Sequence, residues 1–146
     1  MRILELTDGG GAILEAGWLE RAEPVHRQLR PHLPSDYPAK MGRVFAGGAR
    51  MAVAVESEQV VGLAVYRWHE NTADGVKCYV DDLVTDERSR SRGVGHALLQ
   101  HVAQCARELG CDALMLDSGV QRTGAHKFYF REGLVITAFN FKSQIQ

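Results

Sequence analysis

The chain is poor in cysteine and has no pairing pattern for the three it carries. Cys78, Cys105 and Cys111 are odd in number and form no C-x-x-C pair, which argues against a disulfide framework. No run approaches ~18 apolar residues, so no membrane-spanning helix is expected. The opening "MRILELTDGG" lacks the apolar stretch of a signal peptide. Neither sign of charge dominates. Seventeen Lys and Arg against 18 Asp and Glu leave a formal charge of −1, without the broad basic field of nucleic-acid binders. The six histidines show no H-E-x-x-H or other ligand spacing, so no metal is expected. These absences lead us to expect a cytoplasmic protein with neither membrane nor nucleic acid as partner. What remains is 146 residues of ordinary globular composition, enough for one domain (1–146) with its own core.

Periodicity and turn signals give an order of elements. "MRILELT" reads as a strand that stops at "DGGG". From about Ala12 to Leu29, Leu14, Trp18, Ala22, Val25 and Leu29 recur at helical spacing. Three prolines in "RPHLPSDYP" break that pattern, and "AKMGRVFA" suits a short second helix. "RMAVAVES" and "VVGLAVYRW" are two strands around a tight turn at "EQ". "KCYVDDLVT" is a fourth strand, interrupted by Asp81 and Asp82. From Gly93, the residues Val94, Leu98, Val102, Cys105 and Leu109 mark one face of a helix that stops at Gly110. On that face Cys105 reads as a small core residue. "DALMLDS" is a fifth strand, "TGAHKFYFREG" a short helix, and "LVITAFNF" a last strand. The fold expected is α/β (α+β), ordered β-α-α-β-β-β-α-β-α-β, a mixed central sheet with helices on both faces.

Most surface turns have no need for the charge and glycine in "RSRSRGVGHALL". A helix's first amides have no internal partners, and its dipole adds partial positive charge there. Gly93 and Gly95 let a ligand approach the backbone, and Arg88, Arg90 and Arg92 add charge around it. A Walker A loop is excluded, because no Lys-Ser/Thr follows the last glycine. The dinucleotide fingerprint fails at its third glycine, which is Leu98 here. What remains is R-x-x-G-x-G, at Arg90, Gly93 and Gly95. From the residues alone it suits a phosphate cradle and an ordinary glycine cap equally.

The segment "DDLVTDERSRSRGVGHALL" resembles the acyl-CoA binding motif of the GNAT superfamily of N-acyltransferases. Downstream, "AHKFYFREGL" resembles that family's second motif, A-x-x-F-Y-x-x-x-G-F, and the spacing and element order match along nearly the whole chain. The resemblance implies an acetyl-CoA-dependent N-acetyltransferase with direct transfer. It implies a bulged fourth strand that parts from the fifth to admit the pantetheine arm beside Leu83, Val84 and Thr85. The diphosphate is expected on the amides of Ser91, Arg92, Gly93, Val94, Gly95 and His96. Tyr129 aligns with the tyrosine that often protonates the departing thiolate; a phenol of pKa ~10 stays protonated at neutral pH. Seven residues before it the family often has an asparagine that contacts CoA; here it is Arg122, which suits a phosphate or solvent. Gly133-Leu134 replaces the usual Gly-Phe. His126 suits either the acyl-CoA cleft or plain helix packing.

An amine acceptor arrives as ammonium and must lose a proton before it attacks a thioester. A carboxylate beside the parted strands can attract the cation and relay its proton through water. Alternating strand geometry lets only one of Asp81 and Asp82 face the substrate, a limit that a bulge relaxes. Asp81 is expected as base and Asp82 as substrate-side support, against a reading of one solvated carboxylate and one structural hydrogen-bonder. His69 and Glu70 suit a loop entry better than the acceptor pocket. Asp117, Ser118 and His126 do not make a hydrolase triad, since no G-x-S-x-G elbow is present. The acceptor is a small-molecule or protein amine, and a homodimer is common in similar families. A non-catalytic acyl-CoA sensor is the rival reading.

Overall fold

A computed structural model describes residues 1–146 as two compact units, Met1–Met115 and Leu116–Gln146. In the first, β1 (Arg2–Glu5), β2 (Arg50–Glu56), β3 (Gln59–Asn71), β4 (Gly75–Thr85) and β5 (Ala113–Leu116, its last residue in the second unit) form one sheet in that spatial order. The first four strands run antiparallel to their neighbours. The helices are α1 (Ala16–Leu29), α2 (Tyr37–Ala46) and α3 (Val94–Glu108), with a single 3-10 turn at Glu87–Ser89.

In the first unit the expected elements are present, with shifts at their edges. The β2–β3 turn is Ser57-Glu58, one residue earlier than expected; both have positive φ (48° and 62°), as a two-residue hairpin turn requires. Helix α1 begins at Ala16, and Leu14 precedes it, exposed. The apolar face of α1 also carries a residue that periodicity passed over, the buried His26.

Strand alternation divides the core by side-chain size. On one face Met51, Val53, Val55, Leu63 and Val65 join Trp18, Leu19, Ala22 and Val25 of α1 and Tyr37, Met41 and Phe45 of α2. Burying each large side chain contributes about 1.5–3 kcal/mol. The intervening residues, Ala52, Ala54, Gly62 and Ala64, are small, and α3 lies close on their side. A Cβ on Gly62 would fall 2.6 Å from a Val94 methyl and 3.1 Å from a Leu98 methyl. That glycine seats the first turn of α3 against β3. Val94, Leu98, Leu99 and Val102 are buried, whereas Cys105 is half-buried beside polar groups and not the core residue its helix face suggested.

The second unit contains α4 (Thr123–Arg131). The last strand expected at "LVITAFNF" does not form; residues 134–146 have no regular structure. Val135, Ile136, Phe139 and Phe141 are 69–93% exposed. The apolar pattern is there, but without a neighbouring ladder a strand's amides and carbonyls have no partners. No helix is long and apolar enough to cross a membrane.

Candidate active site

β4 leads directly into the turn that opens α3. Asp86 comes immediately after the strand, buried at 3% exposure, and its carboxylate organises the turn. It accepts the Arg88 amide at 3.0 Å and the Arg88 guanidinium at 2.9 Å. Gln28 of α1 donates to it weakly at 3.5 Å and accepts the Glu87 amide at 3.0 Å. The Arg88 side-chain bonds, chiefly, hold the Asp86 carboxyl well below its ordinary value, at about 2. Two of the three arginines are therefore engaged: Arg88 on Asp86, and Arg92 on Glu56 at 2.9 Å. Arg90 is exposed and has no ion pair.

Ser91 and Gly93 both have left-handed backbone (φ 61° and 81°), which swings the chain round before the helix. Gly93 caps α3 without a side-chain bond, and Ala97 makes the first bond back, to the Gly93 carbonyl at 3.0 Å. The helix's opening amides therefore have no acceptor further back in the helix. Their direction, with the helix dipole, makes an anion-binding end built from main chain.

One turn of chain earlier, β4 is bulged. Val65 pairs with Asp82 and Tyr66 with Val80, which leaves Asp81 as the extra residue. Strict alternation would send Asp81 and Asp82 to opposite faces; the bulge brings both to the wall of one cavity of about 590 Å³. Leu83, Val84 and Thr85 follow in register with Ala64, Leu63 and Gly62.

Each aspartate is held. Arg67 of β3 donates to Asp81 Oδ2 at 2.7 Å. Asp82 takes two bonds from Arg30, at 2.6 and 2.8 Å, on Oδ1. Its Oδ2 meets His26 Nε2 at 2.6 Å, and His26 Nδ1 meets the Tyr37 hydroxyl at 2.8 Å. Burial opposes ionisation of Asp82, but the His26 and Arg30 hydrogen bonds and charges outweigh it, and its carboxyl titrates below the ordinary value. The Tyr37 phenol is pushed up, first by burial and then by nearby carboxylates, so it keeps its proton. His26 thus links a buried tyrosine to a carboxylate on the cavity wall.

The cavity rim is the Arg30–Asp36 loop. Arg27 pins it by donating to the Leu33 and Pro34 carbonyls at 2.6 and 2.7 Å, and Asp36 caps α2 through the Ala39 amide at 3.1 Å. Lys40 and His32 also line the cavity. Sequence reading missed His26, Arg30, Arg67 and Lys40. His26 alone left a signal, as a polar residue one turn after Ala22 on an apolar face.

Residues 16–133 match the family model for "Acetyltransferase (GNAT) family". The chain belongs to that family. It is an acyltransferase with the GNAT fold. It is 32% identical over 111 residues to the uncharacterized N-acetyltransferase YhdJ of Bacillus subtilis (strain 168), covering 66% of this chain and 76% of the relative. It is 29% identical over 91 residues to an aminoalkylphosphonate N-acetyltransferase of Salmonella typhimurium, covering 61% of this chain and 58% of the relative. Among solved structures, the aminoglycoside N-acetyltransferase AAC(6')-Iy in complex with CoA superposes with a TM-score of 0.84 at 18% identity, covering 99% of this chain and 94% of that one. A putative acetyltransferase from Agrobacterium tumefaciens str. C58 gives 0.80 at 23% identity, covering 99% and 100%.

The remaining residues singled out in this acetyltransferase lie in the second unit. Tyr129 is half-buried on α4, its ring 5.4 Å from that of Phe128. Burial raises its phenol, against a smaller opposing effect of the Arg122 charge. Arg122 is the exposed N-cap of α4, and His126 Nε2 meets the Gly119 carbonyl at 2.8 Å. In the first unit a separate polar cluster joins Glu5, His101 and Cys105, whose ligand-type atoms lie within 4.8 Å of one another. His101 meets Glu5 Oε1 at 2.6 Å, and the Tyr66 hydroxyl donates to the same oxygen at 2.8 Å. Sequence reading passed over this cluster, for which the i, i+4 spacing of His101 and Cys105 is the available signal.

Proposed function

We propose that the protein transfers the acetyl group of acetyl-CoA to a primary amine by direct attack. The observation that carries this is the start of α3, where a left-handed Gly93 precedes amides with no acceptor inside the helix. The diphosphate would lie on the main chain from Ser91 to His96, with the exposed Arg90 as counter-charge. The pantetheine arm would run along Leu83, Val84 and Thr85, which brings the thioester towards the aspartates of the bulge. Arg122 and His126 are assigned as additional CoA contacts.

The amine, once neutral, attacks the thioester carbonyl carbon. The C–S bond breaks as the C–N bond forms, giving an amide and CoA thiolate. A main-chain amide near Val84 would stabilise the tetrahedral oxyanion, a contribution of ~3 kcal/mol where such a donor is well placed. Tyr129 gives its proton to the sulfur, and its raised phenol keeps that proton available. Asp81 takes the ammonium proton through water, while Asp82 stays anionic and holds Arg30 and His26 in place. An amine acceptor is supported by the Salmonella relative, whose name is that of an aminoalkylphosphonate N-acetyltransferase. It is supported also by AAC(6')-Iy, solved with the bisubstrate analog CoA-S-monomethyl-acetylneamine.

A thiol-release assay with acetyl-CoA and a panel of amines tests the reading. We expect amine-dependent release of CoA. Saturable CoA binding with no release for any amine would contradict it. Tyr129→Phe is expected to lower kcat by ~10²-fold while leaving acetyl-CoA affinity nearly intact. An unchanged kcat would remove Tyr129 from the mechanism.

A further inference from the structure

The aspartates of the cavity are already matched by cations. Asp81 is held by Arg67, and Asp82 by both Arg30 and His26. Neither carboxylate waits for a cation from outside, as each would in a pocket shaped for a polyamine. What the cavity has in excess is positive charge. Arg30, Arg67 and Lys40 are three permanent cations against those two carboxylates, and His26 and His32 are two further basic groups on the wall.

Their donors are also in excess. Arg30 uses its Nε and Nη2 on Asp82 and the Asp81 carbonyl, and Arg67 uses its Nε on Asp81 and makes one long 3.5 Å contact through Nη1 to the Gly47 carbonyl. The other terminal nitrogen of each guanidinium has no acceptor. Lys40 is half-buried at the cavity wall, yet its ammonium has no carboxylate partner. An ammonium at the cavity wall with no carboxylate beside it is free to pair with an anionic ligand.

We infer that the acceptor is an amine that also carries an acid group, a phosphonate, phosphate or carboxylate a short chain away from the nitrogen. This rests on the transfer reading above and specifies its substrate class. The acid group would sit among Lys40, Arg67 and Arg30, and the amine would point along Asp81 towards the thioester. A polycation would instead meet three fixed positive charges and would have to displace guanidiniums from both carboxylates.

Calorimetric titration of the CoA-bound protein with 2-aminoethylphosphonate, β-alanine, propylamine and kanamycin tests this without requiring turnover. We expect the acid-bearing amines to bind at least ~100-fold more tightly than propylamine, because the cavity's donors stay unpaired with the neutral chain. The phosphonate and carboxylate arms separate the two acid chemistries. Lys40→Gln is expected to reduce the ratio of acid-bearing amine to propylamine affinity at least ~10-fold. Propylamine or kanamycin binding as well as the acids, or a ratio unmoved by Lys40→Gln, would overturn the inference. Selective acid-amine binding with no acetyl transfer would leave it standing and remove the catalytic reading alone.

Discussion

At the head of α3 the groups offered to a ligand are main-chain amides, aimed by two left-handed residues and a helix dipole. In the cavity beside β4 they are the ends of long side chains, held by ion pairs between residues about fifty positions apart. Main-chain recognition tolerates changes in side chains so long as the backbone keeps its path. Side-chain recognition depends on each partner and sets specificity. The two regions should therefore respond to different substitutions, and the responses should not cross over.

The largest separation is expected at Asp82. Asp82→Asn removes the charge that Arg30 and His26 share, and should lower kcat/KM for the acceptor by ~10²-fold while leaving CoA affinity within about twofold. Steady-state kinetics and CoA titration read the two effects separately. Asp82 has a depressed carboxyl, so its stabilising effect is present above the unfolded value near ~3.9 and is lost as pH falls through the folded value.

Gly93→Val is the converse change. A β-branched residue at φ 81° costs about 1–3 kcal/mol, so CoA affinity should fall by roughly tenfold or more, with amine KM nearly unchanged. A loss of amine binding with CoA binding intact would reverse the assignment of the two regions.

Asp86→Ala should destabilise the fold by about 1–2 kcal/mol at neutral pH, through loss of the turn's cap and its ion pair. The depressed carboxyl contributes above ~3.9, and that contribution disappears as pH falls towards about 2. Wild-type and variant urea curves should therefore converge in that window. The smallest effect separates the arginines. Arg90→Ala should weaken CoA binding by ~3–10-fold, more than Arg92→Ala, because Arg92 is already occupied by Glu56.

The turn was legible in sequence because glycine positions, helix start and charge are local signals. The bulge was not fixed by periodicity. It came from the family resemblance, and the pairing of Val65 with Asp82 and Tyr66 with Val80 now shows Asp81 as the inserted residue. The cavity was illegible because its partners are distant: nothing in the strings around His26 and Arg30 announces Asp82. The last strand was misread for the opposite reason. Residues 134–141 carry the apolar pattern of a strand, but the pattern does not supply a neighbour to pair with, and those side chains are exposed. Sequence also recorded Arg88, Arg90 and Arg92 as equivalent, whereas folding assigns two of them to carboxylates.

The most direct measurement is a nuclear magnetic resonance titration of the ¹⁵N-labelled protein with coenzyme A, following each backbone amide. We expect saturable shifts concentrated at residues 91–96 and along 83–85, with the signals of the distant edge strand β1 unmoved. Saturation with the amides of 91–96 unperturbed, or no saturable shift anywhere, would contradict the claim that the main chain at the start of α3 holds the diphosphate.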